Sequence, residues 1–252
     1  MKNYEERLIE YLKKVGKLAI AFSGGVDSSY LLYAAIKAGC DVKAYMVKSQ
    51  FQPMFELNDG IEYVKEIGAE LQVIDVDILS YEDVTCNPDN RCYFCKTHIF
   101  STIIEAIKAD GYAIIADGTN ASDDVDDRPG MKALKELKVI SPLRECDVTK
   151  TQIYEASAKH GLSTANKKAY ACLATRVPTD TVITADLLSS VEAAEGYLHK
   201  AGYDDLRVRL TDKGCRLELP EAQFAKLLGE REAVYAKLSE YFGEIVLNLK
   251  PR

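Results

Sequence analysis

At 252 residues the chain has room for one medium domain with a small appendage, and its 47% hydrophobic and 28% charged residues suit a globular protein with a proper core. No apolar run approaches the roughly 20 residues that span a bilayer, and the stretch from Met1 to Lys14 lacks the apolar centre of a signal peptide; a cytoplasmic protein without a membrane partner is expected. A net charge of −7 argues against a nucleic-acid partner, which wants a basic face, and seven cysteines in a reducing compartment are expected as thiols, metal ligands or catalytic groups rather than disulfides.

In chain order, Leu8, Ile9, Leu12 and Val15 recur at helical spacing over 4–15. The apolar run Lys17–Phe22 reads as a buried strand, 28–38 as a helix stopped by Gly39, Val42–Val47 as a second strand, 57–68 as a helix ending at Gly68, and Leu71–Val76 as a third strand. The irregular YEDVTCNPDNRCYFCK then opens a helix running to about Ala109. Tyr112–Ala116 is a further strand, followed by the polar loop DGTNASDDVDDRPG, a short strand at Val139–Ser141 and a helix over Thr149–His160 closed by Gly161. Strands alternating with helices predict an α/β fold, a Rossmann-like parallel sheet whose ligands gather at the carboxyl ends of the strands.

After Pro178 the pattern changes to helix 184–201, a hairpin of Leu206–Leu210 and Cys215–Leu219 around TDKG, a helical stretch 221–242 and a last strand Ile245–Leu249. This is a small α+β unit, so the expected domains are 1–178 and 179–252, with the boundary near 178–183.

Ser23-Gly24-Gly25-Val26-Asp27-Ser28-Ser29 lies between a strand and a helix. Its adjacent glycines let backbone N–H groups approach phosphate oxygens, the helix start adds N–H donors and positive partial charge, and Ser23, Ser28 and Ser29 supply hydroxyls. The missing lysine and GxxxxGK spacing exclude a P-loop NTPase. A tight turn with a serine cap is the plain alternative. The whole string resembles the PP-loop signature of ATP pyrophosphatases, which implies ATP cleaved to AMP and pyrophosphate, with the pyrophosphate held by this loop.

Cys92 and Cys95 form a CxxC at a helix start, and Cys172 lies far downstream in AYACLATR. Three thiolates suit an iron–sulfur cluster with one iron open to carry exchangeable sulfide; a zinc knuckle, buried thiols or a redox pair are the alternatives. Cys40, Cys146 and Cys215 sit in or beside apolar segments and read as core thiols. His98, His160 and His199 are scattered on helices and take no role.

Over most of its length the chain resembles the LarE family of ATP-dependent sulfur insertases of nickel-pincer nucleotide biosynthesis. The resemblance is carried by SGGVDSS, DGTNASDDVDDRPG, ACLATR and LRVRL. It implies adenylation of a carboxylate of a pyridinium biscarboxylic acid mononucleotide, with Mg²⁺ beside ATP, and replacement of that oxygen by sulfur. It also implies a homo-oligomer, a hexamer. One branch of the family spends a cysteine at the position of Cys172; another holds a 4Fe-4S cluster on three cysteines and passes on its sulfide. Cys92, Cys95 and Cys172 match the second, which then needs a sulfide source. Arg207 and Arg209 alternate along a strand and share a face, and the resemblance makes them ligands of the substrate phosphate. Arg176, four residues after Cys172, is a candidate to steer the adenylate or carboxylate, with pairing to a carboxylate as the plain reading; by the resemblance Glu195 lies near the sulfur donor, with a helix-surface glutamate as the plain reading. Asp117, Thr119 and Asn120 follow a strand end and are candidate nucleotide ligands, with Asp124, Asp127 and Arg128 extending that loop. The competing functions are a PP-loop tRNA thiolation enzyme and a non-catalytic adenine-nucleotide-binding module.

Overall fold

The computed structural model describes residues 3–124 and 129–252, so Asp127 and Arg128 lie outside the described residues. The chain divides into two compact units, one of residues up to 78 together with 90–170, the other of 79–89 together with 171–252.

The first unit begins with α1 (Tyr4–Val15), whose first turn is closed by a capping box between Asn3 and Glu6. Then follow β1 (Lys17–Ala21), α2 (Val26–Lys37), β2 (Asp41–Lys48), α3 (Met54–Glu66) and β3 (Glu70–Asp75). The short α4 (Glu82–Thr85) belongs to the second unit. The chain then returns through α5 (Arg91–Ala109), β4 (Ile115–Ala116), α6 (Pro129–Glu136), α7 (Pro142–Glu145) and α8 (Lys150–Lys159). The sheet is parallel throughout in the order β3-β2-β1-β4.

Alternation along β1 shows why both faces are covered. Leu18 and Ile20 join Leu8 and Leu12 of α1, Leu31 and Leu32 of α2 and Ile153 of α8 in one core. Ala19, between them, faces the opposite core with Phe100, Ile103 and Ile107 of α5. Each fully buried leucine or isoleucine contributes about 1.5–3 kcal/mol relative to exposure.

Two expected strands are shorter than their apolar runs. Tyr112 spends its N–H on the carbonyl of Ile107, closing α5, and its hydroxyl on Asp41, so regular pairing begins only at Ile115. Of 139–141, Ile140 alone bridges to Ala116, in parallel.

The second unit holds α9 (Ala185–Lys200), β5 (Arg207–Thr211), β6 (Gly214–Glu218), α10 (Phe224–Gly229), α11 (Arg231–Leu238) and β7 (Glu244–Leu247). β5 and β6 form the hairpin, and β7 runs parallel to β6. Gly214 permits this pairing, because a Cβ there would overlap the backbone of Glu244. The helical stretch expected over 221–242 is broken into a 3-10 turn, α10 and α11, with the break at Gly229 and Glu230. The unit also claims 79–89, which sequence pattern leaves with the first domain, and starts at 171 rather than near 178–183. The cause is main-chain bonding: Asp180 and Ile183 donate to the carbonyls of Asn87 and Thr85, at 2.9 and 2.8 Å.

Candidate active site

The glycine-rich loop leaves the carboxyl end of β1 and enters α2 at Gly25, which caps the helix without a side-chain hydrogen bond. The first-turn N–H donors are therefore not consumed by a capping side chain, which favours an anion there. Gly24 has φ +76°, and a Cβ on it would lie 3.3 Å from the Glu56 carbonyl oxygen and from Gly60 Cα. Only glycine meets both conditions. Inside the loop Ser28 Oγ accepts from the Ser23 N–H at 3.2 Å, donates to the Gly25 carbonyl at 3.2 Å and shares a hydrogen bond with Ser23 Oγ at 3.1 Å. Ser29 is fully buried and its Oγ has no hydrogen-bond partner among the described residues. Ser23 and Ser28 are thus the hydroxyls that order the loop.

The loop after β4 packs directly on this helix start. A Cβ on Gly118 would come within 2.8 Å of the Ser28 backbone nitrogen. Asp117, Thr119 and Asn120 are all buried. Thr119 Oγ1 and Ser141 Oγ each donate to the Asp117 carboxylate, the latter at 2.7 Å. Asn120 Nδ2 reaches Asp27 Oδ1 at 3.3 Å. Asp124 is exposed.

Sequence reasoning missed Lys150. Its Nζ meets Asp27 Oδ2 at 2.6 Å, so a cation stands beside the loop. A signal existed: Lys150 is the first residue of α8, just after its cap Thr149, where the helix dipole disfavours positive charge. A lysine there implies an acidic neighbour or an anionic ligand.

The cysteines fall in both units. Cys92 is exposed and Cys95 half-buried in the first turns of α5, three residues apart and therefore on one face. Arg91 Nη2 lies 3.8 Å from Cys92 Sγ. Cys172, half-buried, precedes a 3-10 turn in the second unit. All three are free thiols, which suits iron–sulfur ligation in kind. Among the described residues no group of three or more His, Cys, Asp or Glu side chains is gathered as a metal site. Burial raises the thiols of Cys40 and Cys146 and pushes Cys215 up to about 12, in keeping with core roles.

Arg176 and Glu195 meet each other. Arg176 Nε and Nη2 hold the two Glu195 oxygens at 2.9 Å each, with both residues 1% exposed. On the hairpin, Arg207 and Arg209 share a face with Glu218 and with Arg216, a third arginine that the alternation Cys215-Arg216-Leu217-Glu218 would have revealed. Arg207 is buried, with Nη1 on the Leu206 carbonyl at 2.7 Å. Arg209 Nε binds Glu218 at 2.7 Å, and Arg216 Nη2 binds it at 3.2 Å. Burial raises the Glu218 carboxyl, but hydrogen bonds and charge from Arg209 and Arg216 together outweigh it and hold the group below its ordinary value. Three arginines against one ionised glutamate leave this face net positive, as a phosphate requires.

No family model matches the chain. It is 34% identical over 224 residues, 88% of this chain and 84% of the relative, to an uncharacterized protein of Synechocystis sp.. It is 32% identical over 245 residues, 96% of this chain and 89% of the relative, to the pyridinium-3,5-bisthiocarboxylic acid mononucleotide synthase of Lactiplantibacillus plantarum. It is 26% identical over 147 residues to the tRNA-specific 2-thiouridylase MnmA of a Thermotoga species, covering 48% of this chain and 40% of that enzyme.

Proposed function

Because the chain belongs to the LarE family of sulfur-transferring enzymes, we propose that it adenylates a carboxylate of pyridinium-3,5-biscarboxylic acid mononucleotide and exchanges the activated oxygen for sulfur, toward a nickel-pincer nucleotide cofactor. The observation that carries this is the 32% identity over 96% of the chain, which takes in both the glycine-rich loop and the arginine hairpin.

In the proposed reaction a substrate carboxylate oxygen attacks the α-phosphorus of ATP, and pyrophosphate leaves. A carboxylate oxygen is a poor leaving group, whereas AMP on the resulting acyl adenylate is a good one. Sulfide sulfur then bonds to the carbonyl carbon and AMP departs with the original oxygen. A second round at the other carboxylate gives the bis-thiocarboxylate. The loop from Ser23 to Ser28 and the start of α2 bind and orient pyrophosphate, and Lys150 adds positive charge beside it. Asp117, Thr119 and Asn120 shape the loop's neighbour, and Mg²⁺ would accompany the phosphates with the Asp27 and Asp117 carboxylates at hand. Arg207 and Arg209 take the substrate phosphate.

Cys92, Cys95 and Cys172 are the proposed ligands of a 4Fe-4S cluster, which would supply exchangeable sulfide loaded from an external source. The proposed division of labour is nucleotide activation by the first unit and phosphate binding and oligomerisation by the second, in a cytoplasmic hexamer.

The test is pyrophosphate release with and without the biscarboxylate substrate. Release that depends on substrate, with a thiocarboxylate product seen by mass spectrometry, is expected. Nucleotide binding without release would leave only an adenine-nucleotide-binding module. The similarity to MnmA favours tRNA thiolation as the second reading; salt-sensitive tRNA affinity with no thiocarboxylate product would put it first. About four irons per chain after anaerobic purification support the cluster, whereas iron-free protein carrying dehydroalanine at position 172 after turnover makes Cys172 a sacrificial donor.

A further inference from the structure

The turn that begins at Cys172 is held from within by a buried guanidinium. Arg176 Nη1 donates to the carbonyls of Ala171 at 2.7 Å and Cys172 at 3.2 Å and to Thr175 Oγ1 at 2.8 Å. Its Nε and Nη2 are both committed to Glu195. With every nitrogen engaged and 1% of its surface exposed, the side chain has no face to offer a ligand. Glu195 Oε1 also accepts the Val208 N–H at 2.8 Å, between Arg207 and Arg209 on β5. A second tie runs the same way: Arg209 Nη1 donates to the Thr175 carbonyl at 2.7 Å, and Thr175 Oγ1 donates to the Cys172 carbonyl at 2.8 Å.

We propose that Arg176 and Glu195 are positioning residues that hold the Cys172 turn in register with the arginine strand, and that neither touches the substrate. A buried ion pair is a weak source of net stability, because desolvation offsets its attraction. Its value is direction. The fork fixes the guanidinium plane to the carboxylate, and the remaining nitrogen fixes two consecutive carbonyls of the turn. The inference rests on the sulfur-transfer reading only in assigning Cys172 to that chemistry.

The test uses the purified full chain and three variants. Arg176→Lys keeps the charge and loses the fork. Glu195→Gln keeps the shape and the acceptor for Val208. The double variant Arg176→Met with Glu195→Gln leaves no lone buried charge and so covers the case in which a single change fails to fold. The first readout is the rate of Cys172 alkylation by iodoacetamide without substrate, followed by mass spectrometry; the second is kcat and KM for substrate-dependent pyrophosphate release. A loosened turn is expected to raise the alkylation rate about tenfold in Arg176→Lys and in the double variant. Turnover should fall on the order of a hundredfold, with KM kept within about twofold because bound contacts are untouched. Raised KM with unchanged alkylation would show Arg176 reaching the substrate and overturn the proposal, as would no change in either readout. If alkylation shifts while even the unaltered chain releases no pyrophosphate, the positioning role stands and the reaction reading falls.

Discussion

Cys215 lies fully buried on the inner face of β6, and burial pushes its thiol from an ordinary 9.0 up to about 12. The folded chain therefore keeps this proton at a pH where the unfolded chain has released it. Stability from this group is fully present below the unfolded value and is lost as pH rises toward the folded one. Denaturant midpoints measured from pH ~8 to ~10.5 should fall more steeply for the unaltered chain than for Cys215→Ala; parallel slopes would assign the alkaline loss to other groups. Sequence alone reads Cys215 as a core thiol, because it sits in or beside an apolar segment. It does not reveal Arg176 as an internal brace. Arginine is rarely fully buried, and its partner is 19 residues away on another element, beyond the reach of any helical or strand period.

Among the elements, α8 links stability to the glycine-rich loop most directly. Its cap Thr149 and Gln152 form a reciprocal capping box, and the next residue, Lys150, carries the ammonium that meets Asp27. The Lys150 N–H also donates to Ser122 Oγ at 3.0 Å, joining the helix start to the loop after β4. Thr149→Ala should cost about 1 kcal/mol and lower Tm by roughly 2–4 °C. Because it also loosens the turn that aims Lys150, it should weaken ATP binding in calorimetry. A lowered Tm with unchanged ATP affinity would separate the cap from the site. In the first unit α1, α2, α3, α5, α8 and the three main strands were legible from helical spacing, apolar runs and glycine stops, whereas the short α6 and α7 were not. The lengths of β4 and of the segment near Ile140 were not, because backbone donors there serve helix closure and a lone bridge.

At the scale of the whole molecule, the change of pattern near 178–183 is legible, whereas the capture of 79–89 by the second unit is not. The bonds responsible run between backbone groups or onto backbone carbonyls, which leave no trace in residue type. Asn87 Nδ2 donates to the Pro178 carbonyl at 2.7 Å, and the Asn87 and Thr85 carbonyls receive the Asp180 and Ile183 N–H groups. Asn87 itself holds φ +55°, which asparagine tolerates better than most residues. The chain therefore enters the second unit, returns to the first before Cys92, and leaves again just before Cys172. A cut after Tyr170 would remove every one of these partners, so residues 79–89 would lose their hydrogen bonds to 178–183. Such segments open at low free energy and are the first to be cleaved. Limited thermolysin digestion of residues 1–170 should give early cleavage within 79–89, around Tyr81 and Val84, whereas the full chain should resist there over the same time. Equal resistance of both would mean that 79–89 is held by the first unit alone. Equal sensitivity would mean that its bonds to 177–183 confer no protection in solution.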